Sequence, residues 1–304
     1  IIIIIASRLK IPSALGFLLT GVILGPSALG LIETTSDIEI LAEIGIIILM
    51  FTIGLEFSIS KIRNMKRAFV TGSTGFVGLN LIEILVSEGW DVVALHLPGE
   101  DITYLSRFDV RPVAGDILDH QRLVNVMPKG MDVVFHLAGD TTTWPRLADR
   151  QYNVNVIGTA NVCRAAMERA AGRMVVTSSS SAYGCHAERF SESTPSNALT
   201  CGINYHKTKY LAEQEVKRAV KEGLDAVIIN PCNIIGPYDT ANWSQLIINV
   251  AKNRLPGAPP GVGTFAHVKD VARAHVTAVD KGRTGENYLL GGVEASFKLS
   301  LIHI

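Results

Sequence analysis

Val70-Thr71-Gly72-Ser73-Thr74-Gly75-Phe76-Val77-Gly78 is the stretch on which the fold turns. The apolar run Ala68-Phe69-Val70 leads into it and an apolar-periodic stretch, 76–85, leads out, which reads as strand, glycine turn, helix. Gly72 permits a tight turn with backbone angles closed to other residues. Gly75 lets the backbone approach a pyrophosphate, and Gly78 lets the new helix pack close to the sheet. The helix N-terminus offers unpaired N–H groups to phosphate oxygens. Ordinary strand–helix turns also carry glycines, so the rest of the chain has to decide.

Downstream, strands and helices alternate. Apolar runs predict strands over 67–71, 91–96, 110–114, 132–137, 173–177 and 225–230, with a last one in 285–292. Helices are expected over 75–88, 146–170 and 205–222. Short apolar runs between helices suit strands buried on both faces. The fold class expected for 65–304 is therefore α/β, a Rossmann-type doubly wound parallel sheet with helices on both faces.

Lys plus Arg and Asp plus Glu balance at 28 each, which points to no nucleic acid and no acidic partner. Charged residues make up only 18% of the 304, below the usual quarter, and the deficit is local. Residues 1–64 carry only four basic and five acidic side chains. The four cysteines, Cys163, Cys185, Cys201 and Cys232, form no C-x-x-C and read as reduced thiols of a cytosolic compartment. Cys185-His186 has no second ligand pair at metal spacing, so no metal is expected.

Residues 1–64 read as an all-α transmembrane helical piece. The stretch 11–32 has 22 residues without a charge, enough to cross a hydrocarbon layer of about 30 Å. A second candidate, 38–59, has a short uncharged heart, 44–55, flanked by Glu39, Glu43 and Glu56. Ile1 to Ala6 resembles the tail of an earlier span. Arg8, Lys10, Lys61, Arg63, Lys66 and Arg67 lie on one side of these spans, and Glu33, Asp37 and Glu39 on the other. The positive-inside bias then puts the acidic loop outside and everything after Lys61 in the cytoplasm. The lipid bilayer is the partner expected for 1–64.

Tyr205-His206-Lys207-Thr208-Lys209 puts Tyr205 and Lys209 four apart, on one helix face. A phenol with pKa about 10 is a poor acid or base at neutral pH, and a nearby ammonium lowers it. The motif follows Ser178-Ser179-Ser180-Ser181-Ala182-Tyr183-Gly184, at the end of a predicted strand, where a hydroxyl can bond a substrate oxygen as charge develops. Trp144, Trp243, Phe265 and His267 are candidates for a substrate pocket, although lone tryptophans more often pack in a core.

Two resemblances follow. Ile11-Pro12-Ser13-Ala14-Leu15-Gly16, Leu19-Thr20-Gly21-Val22-Ile23-Leu24-Gly25-Pro26, Glu43-Ile44-Gly45 and Phe51-Thr52-Ile53-Gly54-Leu55-Glu56-Phe57 resemble the first helices of monovalent cation:proton antiporters of the potassium-efflux branch. The later helices, which carry the ion-binding carboxylates of that family, have no counterpart here, so transport is not expected. Residues 65–292 resemble the extended short-chain dehydrogenase/reductases, the NAD-dependent epimerase/dehydratase family. The matching residues are Thr71-Gly72-x-x-Gly75-x-x-Gly78, Gly115-Asp116-Ile117, His136-Leu137-Ala138-Gly139, Asn155-Val156-Ile157-Gly158-Thr159, Thr177-Ser178-Ser179, Tyr205-x-x-x-Lys209, Asn230-Pro231-x-Asn233 and His267-Val268-x-Asp270.

This second resemblance implies roles. Tyr205 is the expected acid/base, Lys209 its pKa-lowering and ribose-binding partner, and Ser179 the oxygen-stabilising hydroxyl, with Ser178 and Ser180 as alternatives. Gly72, Gly75, Phe76, Val77 and Gly78 would cradle the pyrophosphate. Asp116 and Ile117 would edge the adenine, and Leu137, Ala138 and Gly139 would line the ribose. Asn155 would steady the helix and a water, and Pro231 and Asn233 would sit near the nicotinamide. The tip of the second strand departs from the family. Ala94-Leu95-His96-Leu97-Pro98-Gly99 holds neither the Asp that binds ribose hydroxyls nor the Arg that binds a 2′-phosphate. The cofactor expected is NAD(P), leaning to NADP, with His96 or Arg107 meeting the phosphate.

The segment Asn230 to Pro237 looks most like the dihydroflavonol reductase-like branch, so the substrate expected is a ketone, the partner a small-molecule carbonyl or sugar nucleotide, and the assembly a homodimer. Nucleotide-sugar epimerases and dehydratases are the rival, although a dehydratase's Thr-Asp-Glu triad is missing from 177–181. A cofactor-binding module without turnover is a further reading. A transporter with a regulatory nucleotide domain is another, opposed by the serines, Tyr205 and Lys209. The domains expected are 1–64 and 65–304, the latter with an incomplete substrate lobe. Met65 stands where the second part would start, and the tail Lys298 to Ile304 lacks a helical pattern or cap. The expectation is a chimera of a truncated antiporter and a truncated reductase.

Overall fold

The computed structural model describes residues 20, 22–25, 28–30, 36–56, 65–142, 144–241, 243–254 and 261–296. The chain divides into two units, Ile1–Asn64 and Met65–Ile304.

In the first unit, helix α1 spans Ser36–Glu56. Its apolar side chains from Ile40 to Phe51 are exposed, Leu41 by 67% and Ile47 by 66%. Among the described residues no helix is long and apolar enough to cross a membrane. Glu43 and Glu56 leave only 44–55 uncharged, short of the roughly 20 residues a span needs. The expected span 11–32 lies outside the described residues apart from 20, 22–25 and 28–30. The segment 1–6, Lys61 and Arg63, and the tail 298–304 lie wholly outside them.

The second unit is built on a seven-stranded sheet of order β3-β2-β1-β4-β5-β6-β9, all its pairs parallel. Its strands are β1 (Arg67–Thr71), β2 (Asp91–His96), β3 (Arg111–Ala114), β4 (Val133–His136), β5 (Arg173–Thr177), β6 (Ala226–Pro231) and β9 (Asn287–Leu290). A small sheet orders β10-β8-β7, from β7 (Asn233–Ile235), β8 (Val262–His267) and β10 (Val293–Ser296). Helices α2 (Phe76–Ser87), α3 (His120–Val126), α4 (Ala148–Tyr152), α5 (Thr159–Glu168), α6 (Asn204–Lys221), α7 (Trp243–Ala251) and α8 (Val268–Lys281) complete the unit.

Alternation along each strand feeds two cores, because successive side chains point to opposite faces. Phe69, Val134, Val176 and Ile228 pack with Leu123, Val162 and Val216, from α3, α5 and α6. Ala68, Val70, Phe135, Val175 and Ile229 pack with Leu81, Leu85 and Ala272, from α2 and α8. The sheet is therefore covered on both faces, as its apolar strands require. The strand order reverses between β1 and β4, where a crevice opens at the strand C-termini.

One element differs from expectation. The single helix expected over 146–170 is a 3₁₀ turn (Pro145–Leu147), α4, a π turn (Asn153–Gly158) and α5. Asn155 is the reason: its Oδ1 accepts from the Asp140 N–H at 2.7 Å, and its Nδ2 donates to the Asp140 carbonyl at 3.0 Å and to Thr208 Oγ1 at 3.1 Å. These tertiary bonds hold the helix open by one residue at the site's edge.

Candidate functional site

The glycine turn closes the crevice from the β1 side. Gly72 has φ +67°, and a Cβ there would lie 2.6 Å from the Ala138 nitrogen. A Cβ on Gly78 would strike the Gly72 carbonyl oxygen. Gly78 thus serves the turn itself, and the sheet packing expected of it is secondary. A Cβ on Gly75 would face only the Gly72 oxygen, at 3.2 Å, and otherwise open space. No side chain caps α2 at Gly75, so its first N–H groups are free to meet an anion.

Two clefts flank this turn. One, of about 420 Å³, is lined by Gly72, Gly75, Phe76, Val77, Gly78, Leu137, Gly139, Ser178, Ser179, Tyr205, Lys209, Pro231, Asn233 and Trp243, among others. The other, of about 280 Å³, is lined by Gly72, Gly75, His96, Glu100, Asp116, Ile117, Leu137, Ala138 and Gly139, among others. Asn155 lies behind the first cleft: its Oδ1 would be 3.3 Å from a Cβ on Gly139. The residues expected from sequence to hold a dinucleotide are thus brought together, and the cradle they form is one a Cβ would fill. Trp243 reaches the cleft, edge-on to Phe265 at 5.1 Å between ring centres. Trp144 is 60% exposed instead, and His267 caps α8 by accepting from the Lys269 N–H at 3.3 Å.

At the end of β5 the serines separate. Ser178 Oγ donates to Glu213 Oε1 at 2.5 Å and is buried. Ser179 Oγ accepts from the Ser181 N–H at 3.1 Å, and Ser179 and Tyr205 line the same cleft. Burial raises the Tyr205 pKa, opposed by the nearby Ser179 hydroxyl. This is opposite to the lowering expected from Lys209. Burial of the phenol prevails there, while Lys209 Nζ gives one of its three N–H groups to the Thr177 carbonyl at 3.1 Å. Burial pulls the Lys209 pKa down to about 8, against the pull of Glu213.

Glu213 went unread in the sequence. It is buried, its Oε1 also accepts from Asn230 Nδ2 at 2.6 Å, and its Oε2 accepts from Asn287 Nδ2 at 2.9 Å. Asn230 Nδ2 further donates to the Ser179 carbonyl at 3.0 Å. The carboxylate thereby ties β5, α6, β6 and β9 beneath the serines. The signal was available: Tyr205, Lys209 and Glu213 recur every four residues on α6, one stripe facing one way.

Two buried histidines brace the strand ends. His136 Nε2 donates to Thr159 Oγ1 at 2.9 Å, which donates on to the Asn155 carbonyl at 2.6 Å, so His136 Nδ1 accepts from Thr71 Oγ1 at 2.8 Å. His275 Nδ1 donates to the Val271 carbonyl and its Nε2 accepts from Thr177 Oγ1, both at 2.7 Å. Burial holds His136 down to about 3, helped by Lys209, and His275 down to about 4.

In the second cleft, Glu100 was also unread. Its Oε1 accepts from Thr74 Oγ1 at 2.7 Å and its Oε2 from the Leu97 N–H at 3.0 Å. His96 Nδ1 donates to the Leu97 carbonyl at 2.9 Å. Arg107 lies over the Tyr104 ring, 4.8 Å from its centre.

Residues 68–291 match the NAD dependent epimerase/dehydratase family, and residues 1–90 match the sodium/hydrogen exchanger, transmembrane family. A Synechocystis sp. protein that carries the dihydroflavonol 4-reductase name is 33% identical over 247 residues, 78% of this chain and 71% of that one. The crystal structure of gox2253 is 31% identical with a TM-score of 0.72, covering 77% of this chain and 73% of its own. DesIV, a dTDP-glucose 4,6-dehydratase from Streptomyces venezuelae solved with NAD bound, is 25% identical with a TM-score of 0.69, covering 78% and 79%. The match across 68–291, joined to the glycine turn and the Ser179–Tyr205 pair in one crevice, shows that the chain belongs to the NAD dependent epimerase/dehydratase family.

Proposed function

We propose that residues 65–304 reduce a ketone to a secondary alcohol, and run the reverse oxidation, with Tyr205 as proton donor and acceptor. The observation that carries this reading is that Ser179, Tyr205 and Lys209 line one cleft together with Gly72, Gly75 and Gly78 of the glycine turn. The nicotinamide supplies the hydride when bound. The chain's residues do the remainder. The N-terminus of α2 and the glycines hold the pyrophosphate. Ser179 orients the carbonyl oxygen and shares its growing negative charge. Tyr205 delivers a proton to that oxygen. The Lys209 ammonium stabilises the phenolate left behind, while its bond to Thr177 keeps it in place.

Among the described residues, none that lines this cleft is a carboxylate. Removing water across a carbon–carbon bond needs an acid for the departing hydroxyl and a base for the carbon-bound proton. The cleft therefore favours hydride and single-proton transfer over dehydration. Epimerisation of a nucleotide sugar, in which Tyr205 would take the hydroxyl proton and the oxidised nicotinamide would take and return the hydride, is the alternative outcome of the test. A panel of ketones assayed with NADH, and of nucleotide sugars assayed with NAD, on the full chain decides it. Turnover of ketones that is lost in Tyr205→Phe is expected; epimerised sugar without ketone reduction overturns it.

For the nicotinamide we propose NAD. The lean to NADP rested on the missing acid at the tip of β2, and Glu100 supplies a carboxylate in that cleft. A 2′-phosphate would meet Glu100 and Asp116, with Arg107 turned to Tyr104.

Residues 1–64 contact lipid in this reading, supported by the exposed apolar side chains of α1. Flotation of the full chain with phospholipid vesicles is expected; a chain left wholly in the aqueous fraction contradicts it.

A further inference from the structure

Cys185, 21 residues before His206, meets Cys201 and His206, which lie five apart around the start of the helix that carries Tyr205. Cys185 Sγ lies 3.7 Å from His206 Nδ1, and Cys201 Sγ lies 3.5 Å from the same nitrogen. The three ligand atoms all fall within 4.8 Å of one another. A tetrahedral zinc ion has Zn–S of about 2.3 Å and Zn–N of about 2.0–2.1 Å, which sets sulfur and nitrogen about 3.6 Å apart. The two sulfur–nitrogen distances found match that spacing to about 0.1 Å.

The backbone around the ligands is fixed. The Cys185 N–H donates to Asn197 Oδ1 and Asn197 Nδ2 donates to the Cys185 carbonyl, both at 2.8 Å. Gly184, at φ +92°, leaves no room for a Cβ against that same Asn197 oxygen. Cys201 precedes Gly202, at φ +79°, and His206 lies in the first turn of α6. Cys185 is exposed, so a fourth position opens to water.

We infer that Cys185, Cys201 and His206 form a zinc site that fastens the loop after β5 to the start of α6. The loop carries Ser179 and the helix carries Tyr205, so the ion sets the register of that pair from outside the cleft. Binding displaces the protons of the two thiols to solvent and leaves two thiolates and a neutral imidazole on the metal. Nothing is oxidised or reduced.

Cobalt(II), a spectroscopic stand-in for zinc, is titrated into the reduced full chain. The expected result is saturation at one equivalent, with the visible bands of four-coordinate cobalt and a thiolate charge-transfer band, both erased by added zinc. Cys185→Ser and Cys201→Ser each weaken binding by about 100-fold or more, and Asn197→Ala, which frees the Cys185 backbone, by about ten-fold. Cys232→Ser leaves it unchanged. X-ray absorption of the zinc-loaded wild-type chain reads the ligands without any variant: two sulfurs and one imidazole nitrogen are expected. A shell of oxygen and nitrogen alone, bands that survive both serine variants, or a Cys185–Cys201 disulfide formed in place of metal uptake overturns the proposal.

Discussion

The Lys209 ammonium donates to the Thr177 carbonyl oxygen at 3.1 Å, so a buried positive charge is tethered to the last residue of β5. Burial pulls its pKa from 10.5 down to about 8. Between pH 8 and 10.5 the unfolded chain holds a proton that the folded chain has released, so stability rises with pH across that window. Activity moves the other way, because the phenolate of Tyr205 loses its counter-charge. The reduction rate is expected to fall on the alkaline side with a midpoint near 8, and Lys209→Arg should carry that limb out of range. A pH–rate profile identical in the arginine variant contradicts the assignment.

Tyr205→Phe removes the proton donor and leaves the ring. The reduction rate should drop by about 10²- to 10⁴-fold, with NADH affinity within a factor of about two, since the phosphate cradle is untouched. Steady-state kinetics with fluorescence titration of NADH measure both. A rate that survives the substitution rules Tyr205 out as the acid.

Glu213 takes three donors into a buried carboxylate. Glu213→Leu strands Ser178 and both asparagines, each buried donor costing about 1–3 kcal/mol. Urea denaturation should show a loss of at least about 3 kcal/mol, with Glu213→Gln nearer the wild type. A leucine variant as stable as the parent would mean that water satisfies these groups.

His136 and His275 remain neutral in the fold down to about 3 and about 4, whereas unfolded imidazoles titrate near 6.5. Below pH 6.5 the unfolded chain takes up protons that the folded one refuses. Their contribution to stability is therefore complete above that pH and is lost as the pH falls, at about 1.4 kcal/mol per pH unit for each histidine. Denaturation measured from pH 7 to 4.5 should show the slope, and His275→Gln should lessen it. A flat profile over this interval refutes the burial argument.

Glu100 should make NADH bind at least about ten-fold tighter than NADPH, which is about 1.4 kcal/mol. Glu100→Gln should narrow the gap. Tighter NADPH binding by the wild-type chain overturns the choice of NAD.

Strands β1, β2 and β5 have the bounds their sequences imply, because each is an apolar run closed by a turn or a polar residue. The glycine turn, Tyr205 and Lys209 were legible for the same local reason: their spacing is the chemistry. The π turn was not, since it is set by Asn155 reaching across to Asp140 and Thr208. Nor were α3, of seven residues, and α8, whose pattern opens inside a motif. Glu100 sits in a loop, and only the fold brings it to Thr74 and Leu97. The sign of the Tyr205 shift also escaped the sequence, since it depends on how deeply the phenol is buried.

The Glu213 junction also joins residues that lie far apart along the chain. Asn287 lies 74 residues after the carboxylate it satisfies and 57 after Asn230, to which it also donates. A nascent polypeptide that has already delivered Ser178, Tyr205 and Lys209 still has one acidic oxygen unanswered at their base. The junction is complete only with β9 in place beside β6, so the residues that carry the chemistry come early in the chain and the residue that completes their support comes late.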